Sequence, residues 1–188
     1  MSETNKVRFG LSNLHIGTYT VAANGTVTMG SPVAQTGAVS LTLDPETAES
    51  VFYADNEKYY VEDEDNGFTG ELETAKFDDD FLTTFLNYVA MSGGGVGQVA
   101  NRTKPKVYIA FEIAGDVHAR RTILYNVTLG NISFSHSTTE DTKEPQTETL
   151  PFTVLGDDKT KLVKATFNYG DTQYSTLFTA PIAPTLPA

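Results

Sequence analysis

Apolar and polar positions alternate with a period of two through most of this chain, and Gly, Asn and Asp interrupt the alternation at short intervals. Half-buried strands produce this pattern, because successive side chains of an extended backbone point to opposite faces. Val39, Leu41 and Leu43 share one face and Ser40 and Thr42 the other, up to Pro45, which is expected to stop the run. Val107, Ile109, Phe111 and Ile113 alternate with Tyr108, Ala110 and Glu112. Ile123, Tyr125, Val127 and Leu129 continue the pattern after a short connection around Ala114-Gly115-Asp116, which predicts a hairpin. Leu150, Phe152 and Val154 form a fourth stripe. Asn24-Gly25 lies between Tyr19-Thr20-Val21 and Thr26-Val27-Thr28 and predicts a hairpin closed by a type I′ turn. Further strands are expected at 50–54, 58–62, 68–77, 162–169 and 173–179.

One segment has helical rather than strand spacing. Asp78-Asp79-Asp80 supplies a cap and negative charge at a helix start, and Phe81, Leu82, Phe85, Leu86 and Val89 fall on one face. The helix is expected over about 79–91, with Ser92-Gly93-Gly94-Gly95 ending it. The whole pattern predicts a mainly β chain: an antiparallel β-sandwich or barrel with one flanking α-helix and extended loops and arms. Residues 1–180 are expected to form one domain, and the proline-rich 181–188 an extended arm. An acidic stretch, 55–67, and a polar one, His136 to Glu148, are too hydrophilic to fold alone and are expected to order on assembly.

Composition narrows the function more than the fold. A net charge of -11 over 188 residues disfavours a surface that grips nucleic acid or anionic membrane, since both work through Lys and Arg. The absence of cysteine removes disulfides, thiolate metal sites and a cysteine nucleophile. Met1 to Lys6 has no apolar core of signal-peptide length, and no later run is long enough for a membrane helix, so synthesis as a soluble cytoplasmic protein is expected.

Candidate chemistry is sparse. Glu62, Glu64, Asn66, Gly67 and Glu73 match positions 1, 3, 5, 6 and 12 of a calcium loop, but flanking strands replace the helices that such a loop needs. His15, His118 and His136 have no metal-ligand spacing. The glycine run at 93–95 follows a helix instead of preceding one, so it reads as a connector and not as a phosphate loop. Arg102, Lys104 and Lys106 form one small basic patch and Arg120-Arg121 another, which suits acidic neighbours in an oligomer. Asn24, Asn101, Asn126 and Asn131 head N-x-S/T triplets, which matter only in a secreted eukaryotic protein. No nucleophile, base or cofactor constellation emerges, so a non-enzymatic structural or binding role without a cofactor is expected.

Three stretches carry a family resemblance. They are Val7-Arg8-Phe9-Gly10-Leu11-Ser12-Asn13-Leu14-His15; Gly37 to Gly70, running on into Glu71-Leu72-Glu73; and Phe111-Glu112-Ile113-Ala114-Gly115-Asp116 through Arg120-Arg121 and Tyr125-Asn126 to Leu150. In this order they resemble the major tail (tail tube) proteins of siphophages and prophages of Gram-positive bacteria. The resemblance implies a structural virion protein, made in the host cytoplasm, whose copies stack as hexameric rings into the tube that conducts DNA. It further implies the tail-terminator, tape-measure and distal tail proteins as partners, with DNA only in non-specific transit and no membrane contact. The chain departs from some members in ending on the proline-rich arm without an immunoglobulin-like domain. In this frame Glu71, Glu73 and Glu112 are candidates for the lumen wall, and Tyr59, Tyr60, Glu62, Asp63, Glu64 and Asp65 for an inter-subunit loop. Two other readings remain open. One is a receptor- or carbohydrate-binding sandwich using Tyr59, Tyr60 and Phe68, and the other is the tube protein of a related secretion or contractile system.

Overall fold

The structure is a computed structural model that describes residues 10–54, 56–114, 119–134 and 146–186, with the backbone alone described at 49–50, 52–54 and 61–63. His118, His136, most of the polar 136–148 stretch, the Gly115-Asp116 connection and the ends of the chain lie outside the described residues. The chain is mainly β, with antiparallel sheets and, among the described residues, one helix. In chain order the elements are β1 (Leu11–Val21), β2 (Val27–Met29), β3 (Val33–Ala34), β4 (Ala38–Ala54), β5 (Glu57–Thr74) and α1 (Asp79–Phe85). They are followed by β6 (Val89–Ala90), β7 (Val96–Gly97), β8 (Val107–Ile113), β9 (Arg120–Leu129), β10 (Ser133–Phe134), β11 (Glu148–Val154) and β12 (Lys164–Phe167).

One sheet runs in the order β2-β1-β8-β9-β11-β5-β4, with β3 on β1, β12 on β9 and β10 on β11; β6 and β7 pair separately. Its inner face gathers Leu14, Ile16, Leu72, Ile109, Val127, Leu150, Phe152 and Val154 into one core, closed by Phe77, Phe81, Phe85 and Leu86. The helix therefore lies on the inner face, entered through the Asp78 cap, whose Oδ1 accepts the Phe81 N–H at 2.7 Å. The opposite face holds a second cluster, Tyr19, Tyr108, Ala110, Ile123, Tyr125 and Leu177.

Several expectations are corrected. The helix ends at Phe85, not near 91: Asn87 turns left-handed at φ 55°, and the Tyr88 N–H returns to the Leu82 carbonyl. Val89 consequently leaves the apolar stripe and is exposed, and the glycine run becomes the bend of the β6–β7 hairpin. Asn24 keeps an ordinary φ and only Gly25 is left-handed, so the first hairpin turns through Ala22–Gly25 with a glycine bulge instead of type I′. Residues 173–179 form successive turns instead of a strand, anchored by the fully buried Leu177. The stripe from Ile123 to Leu129 is split by an extra residue at Asn126 (φ 47°), which sends Ile123 and Tyr125 to one face and Val127 and Leu129 to the other. A similar shift beside Ala38 leaves Val39 exposed.

The largest correction concerns 44–67. Pro45 does not end β4, since on an edge strand its missing N–H costs no ladder bond; the strands expected at 50–54 and 58–62 fall within β4 and β5, and from Glu57 on the acidic stretch expected to order only on assembly is strand as well. β11 pairs with β5 only from Phe68 to Thr74, whereas β4 and β5 stay paired to Ala54 and Glu57. Where β5 leaves β11, the register gains one residue; Gly67 takes φ 107°, its N–H is received by Asp65 Oδ1 at 3.0 Å, and a Cβ there would lie 2.1 Å from the Val154 carbonyl oxygen. A side chain at 67 would force apart the joint between sheet and arm. Gly67→Ala is expected to cost about 2–4 kcal/mol through left-handed strain and that contact, read as a lower urea midpoint with an unchanged slope.

Candidate functional site

Beyond the Gly67 joint, β4 and β5 form a two-stranded arm that pairs with no other strand among the described residues. From Thr47 to Ala54 at about 3.3 Å per residue it reaches roughly 25 Å. Its described side chains from Asp44 to Ala48, from Asn56 to Tyr60 and from Glu64 to Asn66 are all exposed. A second register shift, between Phe52 and Tyr53, sets Tyr59 as the unpaired extra residue; Tyr59 is 77% exposed and Tyr60 56%. Between Glu46 and Asp65 the arm has eight carboxylates and one lysine.

The predicted contact residues are thus brought together, but on a strand of the arm in place of a loop. Glu62 and Asp63 lie there in register with Ser50 and Glu49, their side chains outside the described residues. The calcium-loop positions are strung along β5, so Glu64 and Glu73 stand roughly 30 Å apart at the ordinary strand rise. Phe68 does not join the tyrosines: it packs against the inner core, with the Lys164 ammonium 4.3 Å from its ring centre.

The outer face of β9, β11, β5 and β4 is a second feature. Neighbouring strands place Thr128, Thr153, Thr69 and Asp44 in one row across the sheet, with Pro151, Glu71 and Thr42 in the next. Together they floor an open trough of about 640 Å³ whose lining contains no lysine or arginine. Glu73 shares this face and accepts hydrogen bonds from Ser40 (2.9 Å) and Thr147 (2.6 Å), which hold its carboxyl below the usual range. Of the three lumen candidates, Glu71 and Glu73 lie here together. Glu112 does not. It pairs with Arg121 at 3.0 Å, where Tyr174 and Phe178 stack on the guanidinium and the C-terminal segment overlies the sheet.

Nothing in the sequence marks the threonine row, because polar alternation identifies an outer face without saying which strands are neighbours. The basic patch also changes meaning. Arg102 bonds the Leu86 and Val99 carbonyls and Asn131, Lys104 the Leu129 and Gly130 carbonyls, and Lys106 the Asn126 side chain. These cations are bonded within the fold, and burial lowers the Lys104 pKa.

Asp157 is the one buried acid among the described residues, 1% exposed. Its Oδ1 accepts the Tyr19 hydroxyl at 2.5 Å and its Oδ2 the Lys159 N–H, Thr160 N–H and Thr160 hydroxyl. Burial, the largest influence, raises its pKa, but these hydrogen bonds together hold it below the usual range; burial and the carboxylate push Tyr19 far up. Both oxygens are committed to donors, so the group ties β1 to the β11–β12 connection and is not free for acid–base work. Among the described residues no set of three acids or histidines could hold a metal ion, and no helix is long and apolar enough to cross a membrane.

Comparison of the sequence with known protein families and with curated proteins gives no match.

The folded pKa of Asp157 lies below its unfolded one, so its stabilisation is complete above about pH 4–5 and disappears as pH falls through the folded value. Urea unfolding between pH 2 and 6 should show the wild type weakening below about pH 4. Asp157→Asn should start about 1–3 kcal/mol lower and show a shallower acid slope.

Proposed function

We propose that this chain is a major tail subunit of a siphophage, polymerising as stacked rings into the tube through which DNA passes. The observation that carries the reading is the arm. An isolated two-stranded hairpin is marginal in water because it buries too little apolar surface to offset the ordering of its backbone. An arm ending in two exposed tyrosines is therefore suited to a surface supplied by another molecule. Head-to-tail assembly needs such unlike, complementary faces, and repetition of the contact closes rings or extends filaments.

The outer sheet face supports the same reading from the side of the cargo. A lining of hydroxyls and carboxylates, with Lys104 at its edge turned onto the Leu129 and Gly130 carbonyls, gives DNA phosphates little to exchange for their counterions, so the polyanion slides without sticking. Glu71 and Glu73 are the lumen candidates that this face retains. The resemblance of the three sequence stretches supplies the hexameric ring, the location in the virion tail and the tail-terminator, tape-measure and distal tail proteins as partners.

Electron microscopy of the concentrated protein is expected to show rings or hollow filaments; particles that stay single under every assembly condition, with or without those partners, would overturn the proposal. Removing 48–64 and joining Thr47 to Asp65 through an Asn-Gly turn should leave a folded monomer whose melting temperature shifts by only a few degrees, and no tubes. On the outer face, Thr42→Lys/Thr69→Lys/Glu71→Lys tubes should retain DNA in a salt-sensitive manner, with filter binding at least tenfold above wild type at low salt; equal retention would remove this face from the lumen.

A further inference from the structure

Residues 87–101 are fifteen consecutive positions without a charge, in a chain that is one-fifth charged. They form the β6–β7 hairpin and its flanks, and they expose Val89, Met91 and Val99 at 44–54%. Met91 and Val89 both approach Gly97, and exposed apolar side chains gathered on one uncharged segment suit a contact. The segment is also fixed in place: Asn87 Nδ2 donates to the Thr103 carbonyl, Tyr88 to Gln98, and Arg102 holds the Leu86 and Val99 carbonyls.

Strand register locates this surface relative to the arm. β5 enters the body at Phe68 and leaves at Thr74, and Leu129 lies in line with Phe152 and Gly70. The chain beyond Leu129 advances toward the Thr74 end, where Ser133 and Phe134 meet Thr149 and Glu148. Arg102, bonded to Asn131, draws the uncharged segment to that side. The arm leaves at one end of the strands, and the apolar surface lies toward the other.

We infer that the arm of a second copy of this chain seats its Tyr59–Tyr60 tip on the Val89, Met91 and Val99 surface. The inference rests on the tube reading and names the receiving face. Two copies each of net charge -11 repel over most approaches. An arm with eight carboxylates meets least repulsion on a surface that carries no charge, and its tyrosines gain most from burial against exposed valine and methionine. Placement at opposite ends makes the contact heterologous, so it propagates instead of closing a pair.

Because the chain has no cysteine, the test is clean. Tyr59→Cys/Met91→Cys, assembled and treated with a short bismaleimide, should give a ladder of covalent multimers; Tyr59→Cys alone and Tyr59→Cys/Thr128→Cys should not. Met91→Asp should keep the monomer's circular dichroism and melting temperature while raising the concentration needed for assembly at least tenfold. Tubes of wild-type yield from Met91→Asp, or an equal ladder from the Thr128 pair, would show that the arm seats elsewhere and overturn this inference alone. Failure of the wild type to form tubes, or tubes from the arm deletion, would overturn the parent reading and this one with it.

Discussion

The reach of β11 sets the shape of this molecule. It holds β5 over its own seven residues and stops at Val154, while the β4–β5 hairpin runs on for more than its length again. Inside the sheet β5 gains ladder bonds from a strand on either side and an apolar face against the core; outside it only the partner strand remains. Gly67 marks the changeover, because the chain must turn sharply there while passing within touching distance of the Val154 carbonyl. Position, direction and exposure of the arm all follow from that one joint.

The two faces of the sheet divide the remaining roles. The inner face is closed by Phe77, just ahead of α1, and by Phe81 and Phe85 on it, whose tilted rings follow one another at centroid distances of 4.6 and 5.2 Å. The outer face is covered over only part of its width. β9 pairs with β12 along its first half and with β11 along its second, so the sheet forks at Asn126. On the β12 side the C-terminal turns fold back, with Leu177 buried and Arg121 held between Tyr174 and Phe178. On the β11 side no such cover exists among the described residues, and threonines and carboxylates meet solvent.

Much of this is legible in the sequence, and each departure has its own physical cause. Stripes such as Leu150, Phe152 and Val154 came through intact because nothing interrupts their alternation. The stripes that broke did so at single extra residues, Asn126 in β9 and the shift beside Val39, which invert the face of everything that follows and leave no mark in composition. Charge misleads in the acidic stretch, where hydrophilicity predicts inability to fold alone; strand pairing to β4 orders it from Glu57 on, while its described side chains up to Asn66 stay exposed. Val89 fits the helical period and so extends the expected helix past its end at Phe85, and the left-handed turn at Asn87 overrides that period. The outer-face site depended on which strands are neighbours, and that is a property of topology.

Charge segregation connects these features. Arg102, Lys104 and Lys106 are held by backbone carbonyls and Asn126, and Arg121 by Glu112, so none of these bonds joins a carboxylate of the arm or of the trough. Acidity therefore concentrates on two exposed regions, while fifteen residues near α1 carry none. At physiological ionic strength charges are screened beyond about 8 Å, so what matters for association is the charge within that distance of the contact and not the total. A chain organised in this way can bring copies together through its neutral surface and still present carboxylates to whatever passes along the open sheet. Redistributing the same cations over the bare face would leave the net charge unchanged and remove that distinction, because a polyanion responds to the phosphate-sized neighbourhood it touches.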